Sequence, residues 1–290
     1  AFGLSSYFME CIEAGHNPKG YAIAYMAPVI MGIIMAYRGR MWLGSAIAGI
    51  ALSLELASNH LQITYYLAIL TGIIVLGEMV NAIVAKQMAN FVKSSGMLLV
   101  AALLAVLPNI TNLLVTEEYG KFTIRGASEL SDEKHNKTSG LDRDYATQWS
   151  YGIGETFTLM IPNFKGGESQ AIGDNEKALA DVNPEMRQYV GQSTDQYWGD
   201  QPFTSGPVYL GALICFLFVL GMFIIKDNLK WYLLAAIILA MMLSWGKNFM
   251  GFTNFFMDNL PGYNKFRAVS MTLVIVEFAI PLIAILAVRE

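Results

Sequence analysis

Residues 41–85 read Met41-Trp-Leu-Gly-Ser-Ala-Ile-Ala-Gly-Ile-Ala-Leu-Ser-Leu-Glu-Leu-Ala57, then Ser58-Asn59-His60, then Leu61-Gln-Ile-Thr-Tyr-Tyr-Leu-Ala-Ile-Leu-Thr-Gly-Ile-Ile-Val-Leu-Gly-Glu-Met-Val-Asn-Ala-Ile-Val-Ala85. Two apolar runs flank one short polar break. As a single helix, residues 42–83 would be about 60 Å long, twice the hydrocarbon thickness of a bilayer. The chain must therefore reverse near His60 and form a helical hairpin. That reversal decides the fold class.

The rest of the chain repeats the pattern. A spanning helix needs about 20 mostly apolar residues. Further runs cover residues 21–37, 96–115, 207–225, 230–245 and 271–288. With 41–57 and 63–85 they make seven, and residues 1–14 read as the last turns of a preceding span. The expected fold is an all-α polytopic membrane protein. It is a bundle of about seven to eight transmembrane helices with an extracytoplasmic cap loop containing short interfacial helices. Three regions follow: N-terminal spans in 1–115, a cap in 116–206, and C-terminal spans in 207–290 with an interfacial segment at 247–267.

Composition supports this class. Of 290 residues 54% are hydrophobic and only 14% charged, against about 25% charged in soluble domains. The charges are segregated. The cap holds 8 of the 19 basic and 15 of the 23 acidic residues, so the apolar remainder is net positive. This pattern fits membrane and lipid partners and excludes a nucleic-acid binder. Cys11 and Cys215 read as buried thiols rather than a disulfide framework. No metal-ligand or nucleotide-loop spacing is present. The chain opens without a start methionine and reads as an internal piece of a longer protein.

Orientation follows from the basic residues. Placing Arg38 and Arg40 inside gathers Lys86, Lys93, Lys226, Lys230 and Arg289 on the same side. Lys19, Lys247, Lys265 and Arg267 then lie outside, together with His16, the His60 turn and the cap. Within the cap, residues 129–140 read as a mobile hydrophilic loop, whereas the Trp149 and Trp198 stretches carry interfacial aromatics. Asn109 and Asn136 match the glycosylation sequon, Asn109 at membrane depth.

Three polar clusters can carry chemistry. The first is Glu55, Asn59, His60, Gln62, Tyr65 and Tyr66; its plain reading is a wet turn, its functional one a pocket wall. His60 titrates near neutrality and can hold a phosphate or move a proton. The second is His16 with Lys19, either a glycine-flanked loop or a phosphate contact. The third joins Lys247 to Arg267 across the stripe Phe252, Phe255, Phe256, Met257 and Leu260. It reads as a helix lying in the interface, as a lipid-anchoring linker or as a groove for an anionic headgroup. Glu277, ahead of Pro281, sits near mid-membrane. There an ionisable group is a functional candidate, or a neutral acid bonded to a neighbouring helix. Glu78 is expected to snorkel.

Several strings carry a resemblance: Phe2-Gly-Leu-Ser-Ser-Tyr7, Gly15-His-Asn-Pro-Lys19, Asn59-His-Leu-Gln-Ile-Thr-Tyr-Tyr66, Asp144-Tyr-Ala-Thr-Gln-Trp-Ser-Tyr-Gly152, Tyr197-Trp-Gly-Asp-Gln-Pro-Phe-Thr-Ser-Gly206 and Gly262-Tyr-Asn-Lys-Phe-Arg267. Over nearly its whole length the chain resembles the bacterial YfhO-type membrane proteins, which look like the C-type glycosyltransferase superfamily. The resemblance implies an inner-membrane protein that transfers a sugar from a polyprenyl-phosphate carrier to a cell-envelope acceptor on the outer face. The catalytic carboxylate of such enzymes lies in the first outer loop, expected upstream of Ala1, so none is assigned. His16, Lys19, His60, Gln62, Tyr65, Lys247 and Arg267 are candidate carrier-phosphate contacts, Trp149 and Trp198 cap aromatics, and Glu55 and Glu277 intramembrane polar positions. No metal ligand or cofactor is assigned. The alternatives are a lipid or small-solute transporter, favoured by Glu277 with Pro281, and a scaffold without chemistry.

Overall fold

The computed structural model describes residues 2–126 and 140–290. Most of the loop 129–140, with the Asn136 sequon, lies outside them. The fold is mostly helical. A short α1 (Ser6–Glu13) precedes α2 (Asn17–Tyr37), α3 (Met41–Ala57) and α4 (Leu61–Val84). Then α5 (Met88–Val106) runs through a 3-10 turn into α6 (Ile110–Gly120). The cap contains α7 (Arg143–Ala146), β1 (Gly166–Ala171), α8 (Glu176–Leu179), α9 (Arg187–Ser193) and β2 (Asp195–Tyr197). The chain returns through α10 (Ala212–Ile224), α11 (Leu229–Ser244), α12 (Met250–Asn259) and α13 (Leu273–Arg289).

Among the described residues, four helices are long and apolar enough to cross a membrane: Asn17–Tyr37, Leu61–Val84, Met88–Gly120 and Val269–Arg289. Two of the other apolar runs form shorter helices, Met41–Ala57 and Ala212–Ile224. The run at 230–245 reaches spanning length only with α12, which turns away from it by 107°. Gly246 sits at that corner with φ +45°, and a side chain there would strike Ser150 and Val269. The region 247–267 is thus a helix set across α11 rather than along it. The cap is not purely helical: β1 and β2 pair antiparallel.

Small residues set the tightest crossing. A Cβ on Gly32 of α2 would lie 2.6 Å from both the Ala48 nitrogen and the Gly44 oxygen of α3. Close backbone approach through Gly and Ala is the usual way apolar helices associate where no water is displaced. At the α3–α4 hairpin, Asn59 takes φ +54°. That left-handed turn suits Asn better than most residues with a Cβ.

The two ends of the bundle differ. At one end Arg38 donates to both carboxylate oxygens of Asp227, at 2.5 and 2.9 Å, and reaches Glu78 at 3.4 Å. Glu78 is buried and paired instead of snorkelling, because α2, α4 and the α10–α11 turn meet over it. The other end, about 30 Å away along α2, carries the start of α2, the His60 turn, α12 and the cap.

Candidate functional site

A cavity of about 290 Å³ opens at the cap end. One wall is α1, whose Tyr7, Glu10, Cys11 and Ala14 fall at i, i+3, i+4 and i+7, the spacing of one helix face. His16 and Lys19 enter from the start of α2. Trp149 and residues Gln201 to Ser205 come from the cap. Arg267 to Met271 close the far side. Segments from residue 7 to residue 271 therefore converge on one small space.

Its electrostatics favour an anion. Lys19 is buried, with its ammonium 4.9 Å from the centre of the Tyr7 ring. The Arg267 guanidinium lies over Trp149 and Tyr145, 5.5 and 5.7 Å from the ring centres, and Nη1 donates to the Tyr145 hydroxyl at 2.8 Å. Neither cation has a carboxylate partner within ion-pair distance among the described residues. Rings hold both charges in place while leaving them available to a ligand. Trp149 packs edge-on against Phe203, 5.2 Å between centres, and extends the aromatic wall.

Among the described residues Glu10 is the one carboxyl lining this cavity. Burial raises it from 4.5 to about 7, against the pull of Lys19. It therefore exchanges its proton near neutrality, as an acid–base group must. His16 is shifted down by burial and by Lys19. Burial also pushes the Tyr7 hydroxyl up to about 12. The sequence signal for Glu10 was the Tyr7, Glu10, Cys11, Ala14 face, hidden because residues 1–14 read as the end of a span.

His60 does not behave as its sequence suggests. Burial and Lys19 lower it to about 4, so it is neutral at pH 7. Its Nδ1 accepts from the Ile63 N–H at 3.4 Å and caps α4. Gln62 and Tyr65 do not line this cavity. Gln62 donates to the Tyr66 hydroxyl and to the Arg267 carbonyl, at 2.9 and 2.6 Å. Tyr65 donates to the Pro261 carbonyl at 2.8 Å. Both tie the 261–267 segment to α4 and so position Arg267.

The remaining candidates lie elsewhere. Glu55 is fully buried, and the Thr64 hydroxyl reaches its two oxygens at 2.9 and 3.0 Å, bracing the hairpin. Lys247 is outside the cavity and donates to the Asp200 carbonyl at 2.8 Å. Trp198 is exposed on the cap. Glu277 is 1% exposed, and neither carboxylate oxygen has a hydrogen-bond partner among the described residues, so the alternative of an acid bonded to a neighbouring helix is not what the side chain makes.

Two larger recesses are less suited to bind a charged ligand. One, of about 870 Å³, lies beside Asn59 and His60. Its cations are already engaged: Lys121 pairs with Glu118, and Lys265 and Arg125 bond each other's carbonyls. The other, about 690 Å³ among α2, α3, α4 and α5, is lined almost wholly by apolar groups. Among the described residues no group of three or more His, Cys, Asp or Glu side chains converges as a metal site. No protein-family model, no curated protein and no solved structure matches this chain.

Proposed function

We propose that the chain belongs to a multi-pass protein of the bacterial cytoplasmic membrane that binds the phosphate of a lipid-linked sugar at its outer face. It transfers the sugar to a cell-envelope acceptor. The bundle crosses the membrane seven times, counting α3, α10 and α11 as full crossings, with the cap outside. The observation that carries the reading is the cavity itself. Two cations held by aromatic rings, Lys19 and Arg267, meet there under an aromatic wall. Cations of this kind suit phosphate, Arg through its planar fork and Lys as a point charge. Trp149 and Phe203 supply a flat surface for a sugar ring. The leaving phosphate's growing charge would fall on the two cations.

The test uses the full-length protein in vesicles with a polyprenyl-phosphate sugar. Lys19→Ala and Arg267→Ala should each weaken donor binding at least tenfold and abolish transfer, with insertion unchanged. Undiminished binding in both would overturn the reading. A second reading, a lipid or small-solute transporter, is favoured by the buried, unpartnered Glu277. It prevails if Glu277→Gln stops transport of a substrate while the cavity variants do not.

A further inference from the structure

The four buried glutamates among the described residues differ in how they are satisfied. Glu55 receives the Thr64 hydroxyl, Glu78 the Arg38 guanidinium, and Glu155 the Gly152 and Asp200 N–H groups and the Tyr197 hydroxyl. Glu277 receives no hydrogen bond among the described residues. The Ser5 hydroxyl lies beside it without completing a hydrogen bond. Four residues on, Pro281 lies inside α13. Proline has no N–H to give, so the Glu277 backbone carbonyl also loses its helical donor. Both carboxyl oxygens are thus left without the hydrogen bonds that buried acceptors ordinarily have.

No cation among the described residues answers them. The titratable groups acting on Glu277 are Tyr7, Glu10 and Cys11 from α1, Cys215 from α10 and Tyr151 from the cap. All are neutral or acidic. The hydroxyls of Tyr7 and Tyr151 are themselves buried without partners. From the helices packed on the other side, Glu78 of α4 and Lys230 of α11 are held at the far end, by Arg38 and by the carbonyls of Met222 and Ile225. A bare carboxylate in such surroundings is far more costly than the neutral acid.

We propose that Glu277 is a proton-binding site, a carboxylic acid occupied by H⁺ in the folded protein and separate from the groups that hold the anion. It lies in the first turns of α13, six residues after Met271, which lines the cavity. Tyr7 and Cys11 stand at both places: they line the cavity and act electrostatically on Glu277. Whatever charge enters the cavity is therefore felt by the proton, and the proton by the ligand, because such coupling is reciprocal. The site stands whichever reading of the cavity holds.

Infrared spectroscopy of the full-length protein in vesicles at pH 7 tests this. The wild-type minus Glu277→Gln difference should contain the C=O stretch of a protonated carboxyl. Should the glutamine variant fail to fold, Glu277→Asp should shift that band instead of deleting it. A pair of carboxylate bands in its place would overturn the proposal. So would a protonated band that disappears when potassium is replaced by sodium, since the occupant would then be a metal cation.

Discussion

The Gln62 side-chain amide donates to the Arg267 backbone carbonyl at 2.6 Å, across 205 residues of sequence. Through this bond the start of α4 sets the position of a charge that belongs to the entry of α13. Removing a partner of a partly buried carbonyl costs about 1 kcal/mol. Gln62→Ala should therefore weaken binding of a phosphodiester lipid roughly fivefold, although it deletes no charge. Titration monitored by Trp149 fluorescence would measure it. Affinity equal to wild type would show that Arg267 is held without this tie.

Arg267 and lysine should not be interchangeable. Arg267→Lys keeps the charge but loses the stacking on Trp149 and Tyr145 and the bond to the Tyr145 hydroxyl. Cation–ring stacking at partly exposed sites contributes about 0.5–1 kcal/mol. The same titration should place Arg267→Lys between wild type and Arg267→Ala.

Anion binding should weaken as the pH rises through about 7. There Glu10 loses its proton, placing a negative charge in the cavity. A phosphodiester ligand keeps its own charge over this range, so the change reports the protein. His60, lowered to about 4, stays neutral throughout and cannot offset it. Glu10→Gln should flatten the profile between pH 6 and 8. Stability follows the same sign. Because Glu10 sits above its ordinary 4.5, its contribution is present below about 4.5 and is lost as the pH rises through about 7.

The hairpin brace gives a stability prediction. Thr64→Val leaves both Glu55 oxygens without their donor. An unsatisfied buried acceptor costs about 1–3 kcal/mol, which thermal unfolding in detergent should show as a lowered Tm. Anion affinity measured below that Tm should stay within about twofold, since neither side chain lines the cavity.

Sidedness is open to chemical labelling. Cysteines placed at Lys177, exposed on the cap, and at Arg40, exposed at the opposite end, should react differently with an impermeant thiol reagent added to whole cells. Only the Lys177 position should be modified; the reverse pattern would invert the orientation.

The hairpin at His60 and the long apolar helices were readable because their signals are local: run length, a polar break, helix geometry. The site was only partly readable. His16, Lys19, Arg267 and Trp149 stood out by residue type beside apolar runs, and the cavity gathers all four. Lys247 looked the same in sequence, but the corner at Gly246 sends it towards Asp200. Gln62 and Tyr65 looked like ligand contacts because nothing local reveals that a distant backbone carbonyl will take up their donors. Glu10 was hidden by the reverse problem: an eight-residue amphipathic helix is too short for periodicity to separate it from the end of a longer one.

The cavity draws its walls from α1 at residue 7 and from the α13 entry at residue 271. On the ribosome Lys19 is therefore made 248 residues before Arg267 can stand opposite it. Until that wall docks onto Gln62, the cavity has one of its two cations and not the other. The first helices can therefore insert and pack while the cavity is still open on that side, and a complete pair of cations forms only as α13 arrives.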